Sequence, residues 1–446
     1  MTRTARSPGP IGVDRYPRRV TSFRTSPGMR DLLGDEAARR RAFDTAFIEV
    51  VGAAGYEQIV PPILEDIGVF SRIGEATDVV SKEMYDFVDR GGRHVALRPE
   101  QTASVCRAFV EHRPALPYKA WYSGPNFRYE KPQRGRQRQF DQVGVEVLGP
   151  EDPHADVEVI AIGWDFLTSL GLTDVELVLN SLGDPEDRRR FTEAVGEHLR
   201  AHLAELSEQS RETLGRNPLR VLDSKRSEDA PIIAAAPRIE EFWSTEAAEH
   251  FSEVRSGLDR IGVPWRVDGG LVRGLDYYRR TTFEFRSGAL DSAQNALGGG
   301  GRYDGLVEDL GGPATPGIGF AIGVERTLIA CDSESAFPGP AGGVEVFVVD
   351  TTGGSEALAL STELRRGGRT VDRGFGGRSM KAQMKAADRS GAQLALIIGD
   401  DELASGTVTA RFLRGDRPQE QWGRTEAGRL VAEALADHRP PEMTES

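Results

Sequence analysis

The chain has 446 residues, 39% hydrophobic and 28% charged, with a formal charge of −13. That length exceeds one ordinary core and calls for two or three domains, and the absence of any long apolar run excludes a membrane-spanning helix. The acidic balance excludes a protein that coats nucleic acid indiscriminately, but leaves room for one that grips a shaped polyanion with a local basic patch.

Residues 1–22 carry Arg3, Arg6, Arg15, Arg18 and Arg19 against a single acid, Asp14, with no apolar core behind them. That pattern is no secretory signal; a disordered tail fits it, and the arginine bias leaves an organellar transit peptide open. From Arg30 to Val51, Phe43, Phe47 and Val51 recur at fours and predict an amphipathic helix. Tyr56–Glu65 is β-prone, but Pro61 and Pro62 keep it out of a sheet centre. At Arg98-Pro99-Glu100-Gln101-Thr102 a carboxylate and a hydroxyl stand two apart, able to meet an ammonium together, though taken alone the segment reads more simply as an ordinary polar helix start. The two cysteines, Cys106 and Cys331, match no metal-ligand spacing and fit a reducing, cytoplasmic setting.

Lys119–Tyr129 and Arg138–Leu148 read as an antiparallel pair joined by an arginine-rich loop containing Gly135. The second arm alternates strictly: Val143, Val145 and Val147 on one face, Phe140, Gln142, Gly144 and Glu146 on the other. The valines mark the buried side. The opposite row is either the wet side of a sheet or a face that grips a ligand, and the adjoining arginines favour the ligand. Gln142 and Glu146 are then about 13 Å apart along the strand, room for two long side chains to hold opposite ends of one small molecule.

A helix over Ala155–Leu170 and a strand over Val175–Leu179 follow, then helical, charged stretches such as Arg188–Leu206 and Ala247–Ile261, read as a helical insertion over 185–264. Beyond it come three glycine- and aromatic-marked segments: Leu271-Val272-Arg273-Gly274-Leu275-Asp276-Tyr277-Tyr278, Gly300-Gly301-Arg302-Tyr303-Asp304-Gly305, and Gly317–Arg326. Neither a P-loop nor a dinucleotide fingerprint is present. Ser333–Gly343 reads as a linker, and residues 344–440 alternate strand and helix as a small α/β domain, leaving 441–446 as a tail. On its helix near Ser379–Arg389, Arg378, Lys381, Lys385 and Arg389 recur at threes and fours; a basic stripe for a polyanion and a solvated face fit that spacing equally.

Together these motifs resemble class II aminoacyl-tRNA synthetases, and within them the histidyl-tRNA synthetase family, across almost the whole chain. Ile59–Glu65 is similar to motif 1, Phe127-Arg128-Tyr129-Glu130 through Glu146 to motif 2, and Gly317–Arg326 to motif 3; Arg273–Tyr278 and Gly300–Gly305 are the histidine-specific marks. The resemblance implies an α+β catalytic core over 23–332 built on an antiparallel sheet, interrupted by the helical insertion and followed by an anticodon-binding α/β domain. It implies ligation of L-histidine to the 3′ end of histidine tRNA through a histidyl-adenylate, with ATP and Mg2+, no prosthetic group, and a homodimer. Metal ligands are not implied by any motif.

By the same resemblance, Arg128 and Arg273 serve the α-phosphate, with Arg326, Phe140 and Glu130 around the adenine and γ-phosphate; Arg128, Arg273 and Arg326 form the catalytic set. Glu100, Thr102 and Gln142 surround the α-amino end of histidine, and Glu146, Tyr277 and Tyr278 its imidazole, where carboxylate and phenol supply acceptor and donor. Lys131, Gln133, Arg134, Arg136 and Arg138 meet the acceptor end of the tRNA. The sequence departs from the family at Gln101 (usually glycine), Met29 (usually threonine) and Asp141 (commonly histidine). A catalytically silent histidine-sensing paralogue is the rival reading; such relatives usually lack the terminal module and have eroded ligand residues.

Overall fold

The computed structural model describes residues 22–72, 82–215, 217–271, 277–290, 295–340 and 343–436. The chain divides after Pro338 into two compact units.

The first unit is built on an eight-stranded sheet in the order β1-β5-β6-β11-β10-β9-β7-β8. Its strands are β1 (Glu57–Gln58), β5 (Tyr118–Phe127), β6 (Gln139–Leu148), β7 (Val175–Ser181), β8 (Arg266–Val267), β9 (Arg279–Ser287), β10 (Ala296–Arg302) and β11 (Gly317–Gly323). The two edge strands pair in parallel and every inner pairing is antiparallel. A separate three-stranded sheet holds β2 (Leu64–Asp66), β4 (His94–Leu97) and β3 (Tyr85–Val88). Pro61 and Pro62 lie between β1 and β2, where the chain leaves one sheet for the other and no ladder donor is missed.

Register fixes which residues share a face. Val143, Val145 and Val147 stand opposite Ile322, Phe320 and Ile318, and Phe320 faces Gly300 and so Phe283. These side chains are buried under three helices: α1 (Gly34–Ala53) through Phe43, Phe47 and Val51, α3 (Pro153–Ser169) through Val159, Ile160 and Phe166, and α5 (Thr245–Ile261) through Phe251, Val254 and Leu258. The helix α2 (Thr102–His112) lies between β4 and β5 in sequence, and α4 (Pro185–Ala201) opens the insertion behind Pro185 at its first position.

The span 185–264 splits in two. Phe191, Val195, Leu199, Leu206, Leu214, Val221, Ile232 and Ile239 form a core of their own, whereas α5 at its end packs into the core under the large sheet. The reason is amphipathic: α5 buries Phe251, Val254 and Leu258 against α3, where Gly257 meets Val157 with no room for a methyl. The separate helical core therefore ends before residue 245. The stretch expected as linker over 333–343 also begins as structure: α6 (Val324–Glu334) runs into it, Ala336 donates its N–H to Cys331 O, and Phe337 packs edge-on against Phe43 at 6.3 Å.

In the second unit a five-stranded sheet runs β13 (Val371–Arg373), β12 (Val346–Asp350), β14 (Leu394–Ile398), β15 (Thr407–Phe412), β16 (Glu420–Gly423). The first three strands are parallel and the last two antiparallel, with helices α7 (Ser355–Arg366), α8 (Met380–Arg389) and α9 (Ala427–Ala436). The observed architecture is thus the expected one: a large, mostly antiparallel sheet with helices, then a smaller α/β domain. Among the described residues no helix is long and apolar enough to cross a membrane. Both cysteines are buried and unpaired.

Candidate active site

The face of the sheet turned away from α1, α3 and α5 carries small and polar residues. Across β5, β6, β11 and β10, the pairs Tyr122–Gly144, Gly124–Gln142 and Asn126–Phe140 continue into Gly319 beside Glu146, Ala321 beside Gly144 and Gly323 beside Gln142, then Gly299 and Gly301. The glycines matter at two of these points: a Cβ at Gly319 would strike the Glu146 carboxylate, and one at Gly301 would come within 2.8 Å of the Tyr278 ring. The alternation in β6 therefore resolves toward a recessed, ligand-sized floor and not a wet outer face.

At one end of this floor a cleft of about 330 Å³ is lined by Arg128, Glu130, Phe140, Gln142, Glu284 and Arg326, with Gly135, Arg136 and the β10–β11 glycines around them. Arg128 donates from Nε to Pro99 O at 3.0 Å, and its guanidinium lies 5.1 Å from the Phe140 ring centre. Arg326 spans from the hairpin loop to β10, donating to Gly135 O and Ala296 O at 3.1 Å each. Burial lowers the pKa of both guanidinium groups, and Arg136 and Arg128 add repulsion at Arg326. Two partly desolvated cations facing one cleft make a site for a polyanion.

Further along the same face lies a buried polar cluster. Glu146 is fully buried and accepts from Thr102 Oγ1 at 2.6 Å, Tyr122 OH at 3.2 Å and Tyr303 OH. Burial pushes its carboxyl up to about 8, against these hydroxyl donors, and the Glu100 charge pushes the same way. Glu100 caps the start of α2, accepting from the Thr102 and Ala103 N–H groups at 2.6 and 3.1 Å; burial again raises its pKa. The rings of Tyr277 and Tyr278 are 4.6 Å apart, and Tyr303 meets Tyr277 edge-on at 5.8 Å. A compact box of carboxyl and phenol groups can pair both nitrogens of a small ring.

Tyr122, Asn126 and Tyr303 belong to this site without having been singled out from the sequence. Tyr303 sat inside a quoted motif, and Tyr122 and Asn126 would follow from carrying the period-two pattern of β6 back along its hairpin partner. Arg302, from that same motif, points elsewhere: it is buried in ion pairs with Asp156, which also holds His250 at 2.8 Å. Arg273 lies outside the described residues.

The loop residues separate into two sorts. Lys131, Gln133, Arg134 and Arg136 are exposed, Arg136 also pairing with Glu130 at 3.2 Å, whereas Arg138 is partly buried and stacks on Tyr129 at 3.9 Å while donating to Glu130 O. Gln133 and Arg136 close a tight turn on each other, with Gly135 at φ +74°. Gly28 O accepts from Arg138 N and Gln139 N, so the segment bearing Met29 clasps the end of this loop. Asp141 faces α1, where its carboxylate meets Arg40 at 3.4 Å, and Gln101 is buried with its amide 3.4 Å from Gly124 O.

In the second unit a cavity of about 420 Å³ is lined by Arg373, Phe375, Arg378, Gln383 and Arg389. Phe375 is exposed, with the Arg373 guanidinium 4.2 Å over its ring. Arg378, Lys381, Lys385 and Arg389 are all exposed, and of the four Arg378 and Arg389 line this cavity.

A cation-lined cleft and a buried polar box thus lie along the open face of the antiparallel sheet. A histidyl-tRNA synthetase family model matches residues 28–327, and an anticodon-binding domain model matches 344–433. Curated relatives named histidine–tRNA ligase include one from Cyanothece, 42% identical over 94% of this chain and 99% of its own, and one from Rhodococcus erythropolis, 47% identical over 89% and 94%. The apo histidyl-tRNA synthetase structure from S. aureus superimposes with a TM-score of 0.77 at 33% identity, covering 92% of this chain and all of that one. A structure titled ATP phosphoribosyltransferase regulatory subunit/histidyl-tRNA synthetase from Bacillus halodurans shares the fold at 22% identity, with a TM-score of 0.62. The chain belongs to the histidyl-tRNA synthetase family.

Proposed function

We propose that this histidine–tRNA ligase works in two steps. The carboxylate of L-histidine attacks the α-phosphate of ATP, releasing diphosphate and leaving histidyl-adenylate; the 3′-terminal hydroxyl of tRNA then takes the acyl group and AMP departs. Negative charge accumulates at the α-phosphate in the first step, and fixed guanidinium groups in a dry cleft offset it best. Arg128 and Arg273 fill that role, Arg326 reaches the adenine and γ-phosphate, Phe140 stacks on the base and Glu130 meets its amino group. Glu100, Thr102 and Gln142 surround the amino-acid end, and Glu146, Tyr277 and Tyr278 hold the imidazole, with Tyr122 and Tyr303 orienting the Glu146 carboxyl. The observation that carries this reading is the single cleft shared by Arg128, Phe140, Gln142 and Arg326.

Among the described residues no group of three or more His, Cys, Asp or Glu side chains could hold a metal. Mg2+ would arrive with the nucleotide and offset phosphate charge, and Glu284, which lines the cleft, is the carboxylate that would face it. Lys131, Gln133 and Arg134 meet the acceptor end of the tRNA, with Arg136 and Arg138 shaping the loop, and Arg378 and Arg389 of the second unit serve its anticodon arm, with Lys381 and Lys385 as outlying charge. Exposed Val60, Ile63, Leu64, Phe87 and Val88 gather on and beside the small sheet, an apolar surface suited to a second copy of the chain. Buried, unpaired cysteines suit the cytoplasm. The intact pocket and the second unit both argue against the silent, sensing paralogue.

Arg273→Ala tests the reading most simply. Histidine-dependent exchange of diphosphate into ATP should vanish, and near-normal exchange in a folded variant would remove Arg273 from its assigned role.

A further inference from the structure

Gln142 is not positioned by its strand alone. Asn126, one pair along the same hairpin face and fully buried, donates from Nδ2 to Gln142 Oε1 at 2.8 Å. Its own Oδ1 is also buried and finds no donor among the described residues, an uncommon state for an interior amide. Two facing amides can make one N–H···O bond in either of two senses, exchanged by turning both groups over. In the sense observed, Gln142 keeps its NH2 and one lone pair of Oε1 to offer. An α-ammonium carries donors only, and Gln142 Oε1, with two lone pairs, can accept from it while still accepting from Asn126 Nδ2.

We infer that Asn126 is a positioning residue whose side-chain amide holds that of Gln142, so that Gln142 Oε1 meets the substrate ammonium with its second lone pair. Asn126 acts through Gln142 without touching the substrate. The inference rests on the assignment of Gln142 to the histidine site.

The test is diphosphate exchange with the full-length protein, reading KM for histidine, KM for ATP and kcat. Asn126→Leu should raise the histidine KM about fivefold, the scale of one net hydrogen bond, with ATP KM and kcat within about twofold. Asn126→Leu combined with Gln142→Ala should be no worse than Gln142→Ala alone. A double variant clearly worse than Gln142→Ala alone, or a harmless leucine variant beside a harmful Gln142→Ala, would overturn the positioning role while leaving Gln142 in the site. A harmless Gln142→Ala would overturn both. If Asn126→Leu fails to fold, Asn126→Ala makes the same comparison.

Discussion

Replacing Glu146 by glutamine should make the ligand-free protein more tolerant of alkali while disabling it. Burial, aided by Glu100, holds the Glu146 carboxyl up to about 8, so the folded chain keeps this proton through neutrality whereas the unfolded chain loses it in the ordinary carboxylate range. The stability tied to that proton is complete in acid and is lost as pH rises toward and through 8. Each pH unit in the window costs up to about 1.4 kcal/mol. Glutamine has nearly the same shape and never ionises. From pH 6 to pH 8 the stability of Glu146→Gln relative to wild type should therefore rise by roughly 1–3 kcal/mol. Calorimetry of the ligand-free proteins at both pH values measures this, and exchange assays on the same samples should show a raised histidine KM. Melting curves that shift in parallel between pH 6 and pH 8 would mean that Glu146 is already ionised in the native state, and the argument from burial would fail.

Three further outcomes are expected. Tyr278→Phe should weaken histidine use far more than ATP use, and equal effects on the two KM values would contradict the imidazole box. Arg378→Glu with Arg389→Glu should raise the KM for tRNA and flatten its salt dependence by about one phosphate contact per residue, leaving diphosphate exchange intact; slowed exchange would argue against a tRNA role. Asp229 is buried and accepts from Ser207, Ser210 and Ser224, which hold its carboxyl well below the usual carboxylate range. Asp229→Ala strands those hydroxyls and should cost the insertion about 2–4 kcal/mol, read as early proteolysis between residues 185 and 244.

The parts of this fold visible in the sequence are those written in local periodicity. Phe43, Phe47 and Val51 at fours gave α1, and the valine row of β6 gave the buried face of the sheet, because one residue's step flips a strand side chain to the other side. What stayed hidden depends on partners distant in sequence. The Gly300–Gly305 motif gave no role to Arg302 or Tyr303: Arg302 pairs with Asp156, 146 positions away, and the Tyr303 hydroxyl meets Glu146. The last helix of the insertion was indistinguishable from its neighbours by charge and spacing, and only its packing against α3 returns it to the main core. Residues 333–337 have linker composition, yet Phe337 is anchored by Phe43 and by the Arg39 bond to its carbonyl at 3.0 Å.

The most direct trial of the account is exchange of radiolabelled diphosphate into ATP by the purified protein, run separately with each of the twenty amino acids. Label should enter ATP with L-histidine alone. Exchange driven equally by another amino acid, or none with histidine, would contradict the pocket built around Glu146 and the paired tyrosines.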